Sequence, residues 1–356
     1  MRSLTPSDEC VREAYLYDAL QGRKIRCNTC NRRCIIPAGE LGFCETRKNW
    51  RGKLYTLEYG LISSLTVNPI EKKPLFHFWP GSTFLTVGSW SCTFTCPWCQ
   101  NYRLSKCSLE AGRDQSSTIS PEELVDLTLQ KGCKGTSMSF SEPTTFFEYA
   151  VDVFELAKRK NLYNTVITNG YFTLEALDML LRAGADAFNI DIKGDLDAVK
   201  RYCTADVEHV WQNAVQARRK GAWVKLTTLV IPGVNDDEGC LREIAHRIRR
   251  DIGSETPWHV SRYFPHHQFT TPQTPMRALQ KAYTIGKEDG LRFAYVGNVP
   301  GHTYEDTFCP SCGELLIDRR GFTIYDSNLA DNHCPECGEE IPIIGEISKS
   351  NSFRFF

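Results

Sequence analysis

Between residues 84 and 297 the chain alternates short apolar runs with helix-like stretches. The runs are FLTVG (84–88), TSMSF (136–140), YNTVIT (163–168), AFNIDIK (187–193), AWVKLTTLVI (222–231), WHVSRYF (258–264) and FAYVG (293–297). The stretches between them carry helix signals. In ISPEELVDLTLQKG, Ser120 stands at the N-cap, Pro121 at the first helical position and Glu123 completes a capping box, while Gly132 stops the helix. A later helix has Asp236, Asp237 and Glu238 in its first turn and Arg247, Arg249 and Arg250 in its last, both suited to the helix dipole. Strands separated in this way predict parallel βα units. The fold class expected is α/β, either a complete or partial TIM-like barrel or an open doubly wound sheet. In each, the working face lies at the C-terminal ends of the strands.

The residues at those ends are polar and specific. The first run leads into GSWSCTFTCPWCQNY, with Cys92, Cys96 and Cys99. Ser141 and Glu142 follow the second run, Asn169 the third, and Asp191 and Lys193 end the fourth. The fifth ends in PGVND, the sixth in PHHQ with His266 and His267, and the seventh in GNVPG. Taken singly, each has a structural explanation: TNG and PGVND are good turn sequences, and Glu142 suits a helix start. Together on one rim they argue for a site.

No run of about eighteen apolar residues is present, so no transmembrane helix is expected. MRSLTPSDECVREAY lacks the apolar core of a signal peptide. A cytoplasmic setting is therefore the simplest expectation, and in it the sixteen cysteines point to thiolate–metal chemistry rather than disulfides. The formal net charge of -1 gives no electrostatic case for nucleic acid or an anionic membrane. Cys10, Cys107, Cys133, Cys203 and Cys240 are scattered and read as small buried hydrophobes. The rest form three groups. CPSCG and CPECG place Cys309, Cys312, Cys334 and Cys337 as a four-thiolate site that suits zinc, with rubredoxin-type iron second. That module is too small to fold well without its metal. Cys27, Cys30, Cys34 and Cys44 suit structural zinc or a second iron–sulfur cluster, with Arg26, Arg32 and Arg33 to offset thiolate charge. The third group, Cys92, Cys96 and Cys99, lacks a fourth thiolate. A thioredoxin-like C-x-x-C has no use for Cys92, and zinc would need a distant ligand. The remaining option is an iron–sulfur cluster, normally held by four thiolates; with three, one iron keeps a position open to a small ligand.

C-x3-C-x2-C after the first strand, with Trp98 just before the third cysteine, resembles the radical S-adenosylmethionine (SAM) superfamily. With the N-terminal cysteine segment, GKLYTLEYGLISSLTVNPIEKKPLFHFWPGS, SFSEPT, TNGY, HVSRYFP, GNV and the C-terminal knuckles, nearly the full chain resembles the AmmeMemoRadiSam-system radical SAM enzymes. These are relatives of the pyruvate formate-lyase activating enzymes. The resemblance implies a partial TIM-like barrel of the radical SAM type over 81–301. An N-terminal Cys-rich segment and strand extension over 1–80 and a zinc-ribbon-like module over 302–356 would flank it. It also implies a 4Fe-4S cluster on Cys92, Cys96 and Cys99, with SAM chelating the fourth iron. One electron from a flavodoxin- or ferredoxin-type donor would cleave SAM to methionine and a 5′-deoxyadenosyl radical, which takes a hydrogen atom from the substrate. Ser141 and Glu142 would meet the methionine amino group, although the common Gly-Gly-Glu form is missing. Asn169, Asp191 and Lys193 would meet the ribose and carboxylate, and Trp98 the adenine, with loop packing as its plain alternative. His266, or else His267, matches a histidine placed after the sixth strand. Kinship with the activases implies an oxidoreductase acting on a protein. The alternatives are the same chemistry on RNA or a small molecule and, from another class, a zinc-stabilised binding or scaffold protein, which the near-neutral charge disfavours.

Overall fold

The computed structural model describes residues 4–299 and 301–348. At its centre is an eight-stranded sheet. Strand β1 (Ser64–Pro69) pairs antiparallel with β2 (Thr83–Gly88) at one edge. From β2 onward every strand pairs parallel with the next in chain order: β3 (Gly135–Met138), β4 (Tyr163–Thr168), β5 (Ala187–Asp191), β6 (Trp223–Val230), β7 (Trp258–Arg262) and β8 (Ala294–Gly297). The crossovers carry α1 (Pro121–Gln130), α2 (Phe147–Arg159), α3 (Leu174–Ala183), α4 (Val207–Arg219), α5 (Glu238–Arg247) and α6 (Met276–Glu288). Because spatial order never reverses, the winding is that of a barrel and not of a doubly wound sheet, whose order turns back at a switch point. β1 and β8 are edges and do not pair with each other, so the barrel is partial. The seven parallel strands are those the apolar runs predict. The eighth strand, β1, lies in the N-terminal extension.

The local signals act as their chemistry requires. Ser120 Oγ accepts from Glu123 N at 3.1 Å and Glu123 Oε2 accepts from Ser120 N at 2.7 Å, completing the capping box of α1. Along the strands, side chains divide with period two. Phe188, Ile190 and Ile192 of β5 and its extension join the core beneath the helices, as do Leu226, Trp258 and Val260. Asn189, Asp191, Lys193, Thr227, His259 and Ser261 point to the other face, where they line a cavity.

The two flanking regions are packed onto the barrel. The N-terminal region forms two small three-stranded antiparallel sheets. It is tied to α2 by Arg47 and Glu148, a buried pair 2.8 Å apart. At the other end β9 (Thr307–Phe308), β10 (Leu315–Arg320) and β11 (Thr323–Ser327) form an antiparallel sheet. Leu316, Ile317, Ile324, Ile341 and Ile343 pack with Phe76, Phe293 and Tyr295. No described helix is long and apolar enough to cross a membrane.

Candidate functional site

The loop after β2 carries Cys92, Cys96 and Cys99 to the C-terminal ends of the strands, where all three line one cavity of about 450 Å³. The amide of Phe94 donates to Cys92 Sγ at 3.3 Å, and Asn169 Nδ2 lies 3.6 Å from the same sulfur. Cys99 Sγ is 3.0 Å from Ser105 Oγ. Cys96 Sγ is 3.3 Å from Cys203 Sγ.

The same cavity gathers Trp98, Ser141, Glu142, Asn169, Asp191 and Lys193, six of the seven further residues singled out from the sequence. Glu142 is a hub. Its Oε1 accepts from Thr168 Oγ1 at 2.7 Å and Thr144 Oγ1 at 3.0 Å, and its Oε2 accepts from Asn169 N at 2.9 Å. Ser141 Oγ accepts from Ser89 N at 3.2 Å, which leaves its hydroxyl proton for another partner. Asn169 Nδ2 also donates to Thr93 Oγ1 at 3.0 Å. Lys193 Nζ and Asp191 Oδ2 form an ion pair at 2.6 Å. Trp98 is buried between Tyr202 and Phe269, with ring centroids 5.3 and 5.4 Å away. Its indole N–H has no hydrogen-bond partner. The seventh residue, His266, is not among the lining residues: its ring sits 5.5 Å from that of Tyr102, and His267 stacks on Tyr102 at 4.6 Å.

Burial sets the electrostatics. It pushes the Cys92 thiol up to about 12, with the negative charges of Glu142 and Cys96 adding to the effect. The hydrogen bond from Cys203 holds Cys96 below the ordinary thiol range, with Lys193 and Lys106 assisting against burial. Burial disfavours the Lys193 cation, but Asp191 and Cys96 overcome it and hold Lys193 charged. Burial also raises the Glu142 carboxyl.

Reading only the strand ends overlooks part of the site. Asn189, Thr227 and His259 line the cavity deeper down. The signal for them was the polar alternation within the runs, N-x-D-x-K and K-x-T among them. Cys203 carried no sequence signal at all. It reaches Cys96 because the chain closes a five-residue π turn, Val199–Cys203, beside the loop.

Two further thiol groups lie outside this cavity. The ligand atoms of Cys309, Cys312, Cys334 and Cys337 are all within 4.8 Å of one another. Two matching turns bring them together, Gly313 N donating to Cys309 O at 3.0 Å and Gly338 N to Cys334 O at 2.9 Å. Both glycines have positive φ, 80° and 75°. Thiolates around one zinc at about 2.3 Å stand about 3.8 Å apart, so this set is compact enough for a single tetrahedral ion. Cys27, Cys30, Cys34 and Cys44 line a smaller cavity of their own.

Residues 90–243 match the model of the radical SAM superfamily. An uncharacterized protein of Methanocaldococcus jannaschii is 41% identical over 337 residues, covering 94% of this chain and 100% of its own. The GTP 3′,8-cyclase of Aquifex aeolicus is 21% identical over 225 residues, 56% of this chain and 68% of its own. Among solved structures, a domain of a pyruvate-formate lyase-activating enzyme from Bacteroides vulgatus superposes with a TM-score of 0.40 at 21% identity, covering 46% of this chain and 99% of that domain. A radical SAM methyltransferase from Sphaerobacter thermophilus gives 0.47 at 16% identity, with 62% of this chain and 67% of that one covered.

Proposed function

The chain belongs to the radical SAM superfamily, and from that premise we propose that Cys92, Cys96 and Cys99 hold a 4Fe-4S cluster and that the adjoining cavity holds SAM. Membership implies an enzyme that uses both groups. One observation carries the residue assignment. Three cysteines of a single loop open on the same cavity as a charged Asp191–Lys193 pair and the unpartnered indole N–H of Trp98. The donor set fits the groups: sulfur for iron, one anion and one cation for a ligand that carries both an ammonium and a carboxylate, and a buried N–H beside an aromatic face.

Bound there, cluster and SAM supply one-electron cleavage of a sulfonium C–S bond and a carbon radical able to take a hydrogen atom. The chain's own residues bind, orient and exclude water. Asp191 and Lys193 meet the charged end of SAM. Trp98 faces the adenine, and its packing between Tyr202 and Phe269 fixes the ring. Glu142 acts as a positioning residue, since its oxygens hold Thr168 and Asn169 N and so aim the Asn169 amide at Cys92 Sγ. His266 stays outside this constellation. We assign the electron to a flavodoxin- or ferredoxin-type donor and the four C-terminal thiolates to zinc. The substrate proposed is a protein, bound where the barrel and the C-terminal module share the cavity mouth. Asn298 of the barrel and half-exposed Phe322 of the module both line it.

The test is anaerobic reconstitution with iron and sulfide, reduction, and addition of SAM. A brown protein, a reduced-cluster EPR signal that SAM perturbs, and 5′-deoxyadenosine as product are expected. Cys96→Ala should abolish the SAM response and the product. A colourless protein whose Cys92, Cys96 and Cys99 carry only zinc would refute the reading.

A further inference from the structure

Cys27, Cys30, Cys34 and Cys44 come from the end of one short strand, the turn after it and a loop 10 residues further on in the chain, and they converge on one cavity of about 10 Å³. We propose that these four cysteines hold a second iron–sulfur cluster, not a single zinc ion.

The spacing of the sulfurs carries the inference. Among the described residues, the C-terminal thiols form the one group of three or more cysteine, histidine or acidic ligand atoms that all lie within 4.8 Å of one another. No three of the N-terminal thiols meet that limit, although all four face the same cavity. A zinc ion with thiolates at about 2.3 Å leaves no space between them. Here the four cysteines line a cavity of about 10 Å³, the size of roughly one water sphere, and their sulfurs are more widely spread than the C-terminal set. A cluster brings its own irons and sulfides to fill the middle, so it takes its thiolates further apart than one ion does. The chain thus builds two four-thiol sites of different width from the same residue type.

The surroundings suit a cluster with four thiolate ligands, which carries net negative charge. Arg32 and Arg47 both line the cavity. Arg32 is fixed there by donating through Nε and Nη2 to Thr93 O at 2.9 and 2.8 Å. Thr46 Oγ1 donates to Cys44 Sγ at 3.3 Å, the kind of bond that holds and tunes a cluster sulfur. Ile36 and Phe43 supply apolar wall. The site also adjoins the barrel loop. Thr93, next in sequence to Cys92, lines this cavity, and the Ser91 hydroxyl donates to Cys44 O at 2.6 Å.

Acid-labile sulfide separates the readings, because neither zinc nor rubredoxin-type iron brings any. Reconstituted anaerobically, the full-length protein should carry about eight sulfides, two clusters of four. The Cys92→Ala/Cys96→Ala/Cys99→Ala variant should keep about four, with a reduced-state EPR signal that SAM leaves unchanged. The Cys30→Ala/Cys34→Ala variant should also keep about four, with a signal that SAM does perturb. A barrel variant with no sulfide and a second zinc overturns the inference. If a variant does not fold, the wild type decides: eight sulfides support the second cluster, and four with a reduced signal that SAM perturbs count against it. Loss of the radical SAM reading would look different: the barrel variant would match the wild type in sulfide, and SAM would perturb neither.

Discussion

Cys203 shows how much one side chain can matter without a motif. In the sequence it is a lone cysteine, and isolated cysteines are ordinarily buried hydrophobes. In the structure it ends a π turn, followed by Thr204 in the left-handed region at φ 52°, and its sulfur lies 3.3 Å from Cys96 Sγ. Single π turns inside helical segments recur at functional sites. If Cys96 holds iron as a thiolate, as proposed above, Cys203 would be the donor of that S–H···S bond. Hydrogen bonds to cluster sulfurs raise the reduction potential. Cys203→Ala should therefore leave iron content unchanged and lower the potential by on the order of 40 mV, the equivalent of one hydrogen bond of about 1 kcal/mol for a single electron. An EPR-monitored redox titration reads the shift. Loss of iron in that variant would make Cys203 a ligand instead. Gly297 teaches the same lesson from the opposite direction. GNVPG reads as a turn, yet a Cβ at Gly297 would meet His259 Nε2 at 1.8 Å, so the glycine is there to admit the imidazole.

At the scale of strands and helices, the elements were legible and the inward face was not. Each apolar run became a parallel strand because strands buried on both faces need continuous apolar or small side chains. Capping residues set the start of α1 in the sequence as in the structure. Periodicity alone did not say which parity of each strand faces the cavity. That depends on the sheet curling toward one side, a property of the whole barrel. Lys225 of β6 illustrates it. It sits within an apolar run, is fully buried, and donates from Nζ to Thr227 Oγ1 at 2.6 Å, which in turn donates to Asn189 Oδ1 at 2.7 Å. Burial pushes its pKa well below the ordinary lysine value, with Asp191 opposing only in part. The unfolded chain thus binds a proton that the folded chain resists, and stability falls as pH drops below about 10.4, the ordinary lysine pKa. Lys225→Met, close in volume, removes that penalty. Its Tm at pH 7 should exceed that of the wild type by a few degrees, and the gap should shrink as pH rises toward 10. A lower Tm for Lys225→Met at pH 7 would show that the Thr227–Asn189 chain outweighs the buried amine.

In the whole molecule, the C-terminal module is part of the barrel's closure and not a tethered appendage. Its strands share a core with Phe76, Phe293 and Tyr295, Arg319 Nη2 donates to Phe76 O at 3.0 Å, and Trp79 N donates to Ile344 O at 2.7 Å. His77 stands in this seam. It is fully buried, with Nδ1 3.1 Å from Pro342 O and Nε2 2.6 Å from Tyr295 OH. The carbonyl can only accept, so Nδ1 carries the proton and Nε2 accepts from the tyrosine. Burial, with Arg319 adding to it, pushes His77 down to about 3. The unfolded histidine takes its proton near 6.5, so between about 6.5 and about 3 the folded state binds fewer protons than the unfolded one and stability falls as pH falls. Between pH 7 and pH 5 this one group costs about 2 kcal/mol. Glu58, which burial pushes up to about 8, has the opposite sign, so the comparison must be between proteins and not between pH values alone. His77→Gln should lose less stability than the wild type on going from pH 7 to pH 5, by about 2 kcal/mol, in denaturant titrations of the metal-loaded protein. Proteolysis at pH 5 should cut the wild type first within the C-terminal module, where the imidazole meets Pro342. Equal pH dependence in the two proteins would mean that the seam can take up the protonated ring, and that something other than His77 fixes the module to the barrel.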